Sequence, residues 1–591
     1  PYWVLYQNFE TDVRNRYFGN VSLNYQINDW LSVMGRVALD GYDELIEERR
    51  AVGSTNIPSY SRFNRSFRET NLDMMFNVNK NLGEDINFKA LLGGNIRRQH
   101  TTYIRARTNG GLIVPNIYAI SNSLVTPDAP EEFDGKKEVD GAFAGTTLTW
   151  KDMVTLDATI RRDQSSTLPE GNNAYYYPSV SLGWVFSKLL PQASWLSYGK
   201  VRTNYAQVGN DAPVYVVHDA YGVVTPFGSR PQASATGPNY NYTKNNPNLL
   251  PEKTISLEAG LELSFFQNRL GVDVTYYRTR TKDQILPVEL STTTGYNYKY
   301  LNAGSVENKG IELMLTGTPV KTKDFSWTIN FNFSSNRNKV LELHKGAENL
   351  KIGDYQGGTT LNAALGEAFG TIRGNDFIYT NGEKTVSATS GRYLKTEHYN
   401  AKIGNINPDW LGGINNSFRY KNFTASFLID IRKGGDIFSL DMGYGLNTGI
   451  YPETAGLNDL GKPSRAELAD GGGYILPGVT SDGKKNEKRA LNGYGFFGNY
   501  RMPAKAFVYD GSYVKLRELM ISYSLPQELI GRLGFFKGIE LGLAGRNLWI
   551  IHKNLPYADP EDTMGASNLQ GFQTGAYPAV KTVTFNLKLR F

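Results

Sequence analysis

The chain has 591 residues, 40% apolar and 20% charged, with 63 Lys and Arg against 57 Asp and Glu. It has no cysteine and five scattered histidines, which excludes a disulfide scaffold and a thiolate nucleophile and leaves no His pair at zinc-ligand spacing. A net charge of +6 is too small and too dispersed for a nucleic-acid surface, whereas 37 Tyr and 61 Gly suit long strands and glycine-bearing loops.

Mean hydropathy is −0.41. The longest apolar runs, such as Leu548 to Ile551, fall far short of the roughly 20 residues a membrane helix needs. A membrane barrel escapes that test, because its strands show only alternating apolarity over segments of about 10 residues. Period-2 alternation predicts about 17 strands, at 13–27, 30–46, 59–80, 85–108, 135–151, 153–163, 176–188, 195–208, 252–268, 269–282, 297–317, 324–341, 409–421, 423–434, 508–525, 537–549 and 578–591. In the ninth, Ile255, Leu257, Ala259, Leu261, Leu263 and Phe265 make an apolar face against Thr254, Ser256, Glu258, Gly260, Glu262 and Ser264. Successive side chains of a strand point to opposite faces, so each segment has one apolar and one polar side.

The connections alternate between short and long. Asn28-Asp29, Asn81 to Glu84, Lys151-Asp152, Gln267-Asn268 and Lys421-Asn422 are tight turns, while 109–134, 209–251, 342–408, 435–507 and 550–577 are long. In an up-and-down antiparallel sheet, alternate connections share an end, so one end carries tight turns and the other the bulk. Trp30, Trp150, Trp195, Trp327, Tyr420 and the pairs Phe265-Phe266 and Phe535-Phe536 lie beside the tight turns, as an interfacial aromatic girdle would. The predicted fold is all-β: an antiparallel up-and-down transmembrane β-barrel of the bacterial outer membrane, with short periplasmic turns and long extracellular loops. Seventeen strands cannot close such a barrel, and the chain starts at Pro1 without an initiator Met or signal pattern. The sequence therefore reads as part of a longer chain, with at least one strand before Pro1.

Long stretches resemble the SusC/RagA-like TonB-dependent outer-membrane transporters. They run from Tyr176 to Lys188 (YYPSVSLGWVFSK), Val201 to Asp211, Asn246 to Leu286, Asn302 to Leu315 (NAGSVENKGIELML), Asn407 to Phe423, Tyr513 to Pro526 and Gly545 to Glu561, and they end in the closing strand YPAVKTVTFNLKLRF. One departure is Pro251, where the family often has Trp. The resemblance implies a 22-stranded barrel filled by an N-terminal plug behind a TonB box. Residues 1–591 would then be the C-terminal part of the barrel, with plug, TonB box and first strands upstream. It also implies TonB-dependent import of a nutrient oligomer, an oligosaccharide ahead of an oligopeptide, with a SusD-like lipoprotein lid. TonB would be engaged through the N-terminal part, in a dimer of barrel–lid pairs. The competing readings are a passive porin, a surface glycan-binding or adhesin barrel, and a soluble all-β glycan-binding or hydrolytic protein.

Candidate site residues follow. Glu258, Glu262, Asp273, Glu312, Arg432, Lys588 and Arg590 lie on the polar faces of their strands, where a lumen wall or plug contact is expected, because Arg or Lys facing mid-bilayer lipid costs about 2–4 kcal/mol. Tyr240, Tyr242, Tyr355, Tyr379, Tyr393 and Tyr444 are candidate substrate or lid contacts in the long loops, since aromatic faces stack on sugars and also serve protein interfaces. Phe585, Leu587, Leu589 and Phe591 alternate to a terminal aromatic, resembling a signal read by strand addition during barrel assembly. Asp559, Glu561 and Asp562 form an acidic loop cluster of a kind that binds Ca²⁺ or, more commonly, is simply solvated. Gly471 to Gly473 read as loop flexibility. No catalytic constellation or cofactor motif stands out, so neither an enzyme nor a cofactor is expected.

Overall fold

The computed structural model describes residues 6–190, 194–219, 243–344, 346–490, 502–563, 565, 567–576 and 579–591. Seventeen strands belong to one sheet. They are β1 (Phe9–Asn28), β2 (Leu31–Arg50), β3 (Ser59–Leu82), β4 (Ile86–Arg107), β5 (Glu131–Trp150), β6 (Val154–Ser165), β7 (Ala174–Trp184), β8 (Leu196–Asn210) and β9 (Glu252–Phe265). The rest are β10 (Leu270–Lys282), β11 (Gly304–Lys321), β12 (Phe325–Leu343), β13 (Pro408–Tyr420), β14 (Phe423–Gly434), β15 (Tyr513–Ser524), β16 (Gly538–Lys553) and β17 (Thr582–Arg590). Each corresponds to one alternating segment of the sequence. No helix among the described residues is long and apolar enough to cross a membrane.

Two predicted segments split. Residues 297–317 divide into Tyr298–Asn302, which pairs with Ile285–Glu289 in a loop hairpin, and β11. Residues 508–525 divide into Val508–Asp510, which joins a loop sheet, and β15. The alternation lapses at both breaks, at Ala303-Gly304 and at Gly511-Ser512, where the chain changes partner.

The chain divides into two compact units. The first comprises Pro1–Trp184, Asn204–Ile255 and Thr281–Ala303; the second comprises Val185–Thr203, Ser256–Arg280 and Gly304–Phe591. In the first, β1 to β7 form an antiparallel meander in which each strand pairs with the next. In the second, β11 to β17 form another. Within each meander the tight turns fall on one edge. Lys151 and Asp152, at φ 50° and 48°, make the β5–β6 turn. Met153 N donates to Trp150 O at 2.9 Å across them, and two left-handed central residues match the right-handed twist of the hairpin.

Register carries each face continuously from strand to strand. In the second unit Leu315, Phe331, Ile414 and Ile429 share one face, while Asn330, Asn415 and Leu428 share the other. The apolar face stays uncovered by protein: Ile521 on β15 and Leu543 on β16, on strands paired on both sides, are 50% and 54% exposed. Contiguous exposed apolar surface on this scale marks a lipid-facing wall. Beside the tight turns, Trp327 stacks on Phe418 and donates its indole N–H to Asn416 Oδ1 at 3.1 Å, which satisfies a polar side chain standing on the apolar face. Trp195 stacks on Phe265, and Phe591 packs against Phe535 and Phe536.

The buried core lies in the long loops. In the second unit, four short strands (Asn349–Tyr355, Thr359–Ala364, Thr371–Gly374 and Ala401–Asn405) form one sheet, and Asp436–Ser439 joins Val508–Asp510 and Phe572–Gln573 in another. Helix α1 (Leu440–Thr448) follows, its N-terminus capped by Ser439, whose side chain accepts from Met442 N. Leu361, Ile372, Ile403, Phe438 and Phe507, drawn from two long loops, form one apolar cluster with Phe572 from a third. These loops are therefore a folded platform.

Candidate functional site

The polar face of the second unit is where the predicted charged residues meet. Arg202 on β8 donates to both carboxylate oxygens of Asp273, at 3.0 and 2.6 Å, and to Thr275 Oγ1 at 2.6 Å; Glu262 lies 4.0 Å away. Gly260 permits this crossing, because a Cβ there would lie 2.6 Å from Arg202 Nε. Glu312 lines the same groove of about 370 Å³ with Arg202, Asp273, Thr275, Asn332 and Ser334. Glu258 accepts from Ser256 at 3.1 Å. Lys588 stands opposite Glu540 on the polar face, and Arg590 opposite Gly538. Arg432 differs from these: it is buried beneath the loops and donates to the carbonyls of Gly434 and Ile406, at 3.2 and 3.0 Å.

A second cluster ties a long loop to this face. Lys515, buried on β15, donates to Asp559 Oδ1 at 2.5 Å and Glu561 Oε2 at 2.6 Å. Arg517 reaches Glu561 at 2.7 and 2.8 Å and also pairs with Asp430 of β14. Tyr513 Oη donates to Glu561 at 3.2 Å. Burial works against the ionised Glu561, but hydrogen bonds from Arg517 and Lys515 outweigh it and hold the carboxyl down at about 2. The acidic loop cluster is thus neither solvated nor open to Ca²⁺ at Asp559 and Glu561, because the lysine and arginine supply the compensating charge.

In the first unit the polar face carries aromatic rings between arginines. Tyr42 stacks on Phe67, Phe63 meets Tyr103, and Tyr103 stacks on Phe133 at 5.1 Å. Arg14, paired with Glu44, and Arg65 lie over the Tyr42 ring, and Arg105 over Phe63. Lower down, Arg36 pairs with Asp73 at 2.7 Å and Arg97 with Glu69 at 3.1 Å. These pairs link adjacent strands through residues about 30–40 positions apart in sequence, so only the register brings them together.

The family description "TonB dependent receptor-like, beta-barrel" matches residues 3–548. The chain belongs to this family. TonB-dependent receptor P3 of Formosa agariphila is 26% identical over 97% of the chain and 56% of its own length, and TonB-dependent receptor SusC of Bacteroides thetaiotaomicron is 24% identical over 73% of the chain and 42% of its own length. The chain spans about half the length of the curated relatives it matches. The solved RagAB peptide transporter superposes over the whole chain and 63% of its own, at a TM-score of 0.77 and 19% identity, which is a likeness of fold. The SusC-like TonB-dependent receptor β-barrel is an outer-membrane protein. In outer-membrane barrels generally, polar strand faces line the lumen and apolar faces meet lipid.

Within this receptor barrel the predicted loop tyrosines divide. Tyr240 and Tyr242 lie outside the described residues. Tyr393 is buried and donates to Pro477 O at 2.9 Å, and Tyr355 stacks face to face on Phe572. Tyr379 and Tyr444 are exposed, Tyr444 bonded to Gln356. Sequence reasoning missed Arg202, Lys515, Arg517 and the Tyr42–Phe67–Tyr103–Phe133 lane. Strand parity places Arg202 and the aromatic lane on a polar face, whereas Lys515 and Arg517 share the parity of Leu519 and Ile521 and reach the polar face only because a β-bulge between Leu516 and Glu518 shifts the register.

Proposed function

We propose that this chain is the barrel portion of a TonB-dependent importer, which captures a nutrient oligomer at the cell surface under a SusD-like lipoprotein lid. The reading rests chiefly on the juxtaposition, in the second unit, of an amide-rich polar wall with a prefolded loop platform. Asn308, Asn336 and Asn338 are joined by hydrogen bonds at 3.0 and 2.9 Å, and Asn330, Asn332 and Asn415 continue the same face. Neutral amides exchange hydrogen bonds with hydroxyls at little desolvation cost, which favours an oligosaccharide. The likeness to the RagAB peptide transporter, with the Arg202–Asp273 pair on the wall, supports an oligopeptide as the second reading.

The lid is assigned to one part of the platform. Ile450, Leu457, Leu460 and Leu468 are exposed on a segment stapled from within: Asn458 donates to the carbonyls of Gly471 and Gly473, at 2.7 and 2.9 Å, and Arg489 forms a two-pronged pair with Asp459. Rigid exposed apolar residues with a polar rim suit a docked protein. The test uses the full-length receptor in its own membrane. L457D/L460D is expected to lose the co-purifying lipoprotein while keeping wild-type surface levels. Deleting the receptor is expected to abolish growth on the oligomer but not on its monomer. Undiminished growth on every oligosaccharide and oligopeptide tried would refute the importer.

A further inference from the structure

The outer, apolar face of the first unit changes character at a definite height. On β4 the residues facing lipid run Ile86, Phe88, Ala90, Leu92, Gly94 and Ile96, and Trp150 stands opposite Ile86 at the tight-turn end. At about 3.4 Å per residue and a tilt near 40°, the ten steps from Ile86 to Ile96 rise about 26 Å, the height of a barrel's apolar band. The next two positions on that face are Arg98 and His100. They fall at the head-group level of the leaflet opposite the tight turns, the outer one.

Register sets further basic side chains beside them. Arg68 of β3 pairs directly with His100 of β4, and His100 pairs directly with Lys136 of β5. Arg98 lies one diagonal step, about 7–8 Å, from both Arg68 and Lys136, and cations gathered this closely disfavour one another unless an anion lies between them. The nearby carboxylates only partly serve: Glu138 is taken by Arg98 at 3.1 Å, and Asp134 by His100 at 2.8 Å, with Lys136 at 3.9 Å. Among the described residues Arg68 makes no ion pair or side-chain hydrogen bond. Arg68, Thr70, Arg98, His100, Lys136 and Ser166, together with Glu138 paired to Arg98, line a cavity of about 560 Å³. Its rim is braced by Tyr215, whose hydroxyl donates to Asp134 O at 2.9 Å and accepts from Lys136 N at 3.3 Å.

The geometry points to a binding site for a phosphate-bearing lipid of the outer leaflet. The phosphate sits among Arg68, His100 and Lys136, the lipid's hydroxyls meet Thr70 and Ser166, and the acyl chains lie along Leu72, Ile96 and Leu92 beneath. A head group of this charge over an apolar tail fits a cationic ledge directly above an apolar wall, at the depth where such ledges attract anionic lipid. The site is independent of what the barrel carries.

The experiment uses the full-length receptor extracted from outer membranes and compares it with R68E/K136E. Native mass spectrometry is expected to find phosphorylated lipid retained on the wild type. In R68E/K136E that retention should fall about ten-fold or more, with heat-modifiable migration unchanged as a check on folding. Should R68E/K136E fail to assemble, R68Q/K136Q is read instead, and R68K/K136R is expected to keep the lipid. Nanodiscs with phosphorylated lipid are expected to exchange onto the site, and those with the same lipid dephosphorylated are not. Inorganic phosphate alone should not displace the lipid. Equal retention by the charge-altered variant, equal exchange of dephosphorylated lipid, or displacement by inorganic phosphate would each overturn the proposal.

Discussion

Removing the Glu561 carboxylate is expected to loosen one loop without unmaking the wall it rests on. Glu561 receives hydrogen bonds from Lys515, Arg517 and Tyr513 and is the hub through which the loop near residue 561 grips β15. Its carboxyl is held at about 2, against about 4.3 for a free glutamate. A shift of that size in a fully shielded group corresponds to about 3 kcal/mol. The side chain is 23% exposed, so solvent screening brings the figure nearer about 2 kcal/mol. Glu561→Ala should therefore raise the opening equilibrium of this loop about 30-fold. The readout is hydrogen–deuterium exchange of the Asp559–Thr563 amides in the assembled protein, with β15 as internal control. The pH sign follows from the lowered value: docking is complete above about pH 5 and weakens as pH falls from about 4.5 towards 2. Exchange accelerated less than about three-fold, or equally fast throughout β15, would refute the reasoning.

Gly260→Val is expected to drive Arg202 away from Asp273 and Glu262, at an overpacking cost of about 1–3 kcal/mol, read as a lower urea midpoint for the refolded barrel. Trp327→Phe leaves Asn416 on the lipid face without its donor and should cost about 1–2 kcal/mol in the same titration; an unchanged midpoint would show that Asn416 finds water. Deleting Phe591 removes the ring that packs against Phe535 and Phe536 and should lower outer-membrane assembly, measured as surface protein at equal synthesis. Unchanged surface levels would count against an assembly role for that residue.

The sequence by itself determined the strands, their faces and the alternation of short and long connections. Side-chain direction repeats every second residue and turn chemistry is local, so Ile255 to Phe265 or Lys151-Asp152 announce themselves without knowledge of any neighbour. The polar parity of Glu262, Asp273 and Lys588 was legible for the same reason. Tertiary structure decided which residues meet. Pairing register joins Arg202 to Asp273, 71 positions away, and Arg68 to His100 to Lys136 across three strands. It also decided which loop residues are buried: Tyr393 and Tyr379 are both loop tyrosines in sequence, yet one is packed inside the platform and the other exposed. Loop burial carries no period, because it depends on contacts among three segments distant in the chain, and such contacts exist only once the chain has folded.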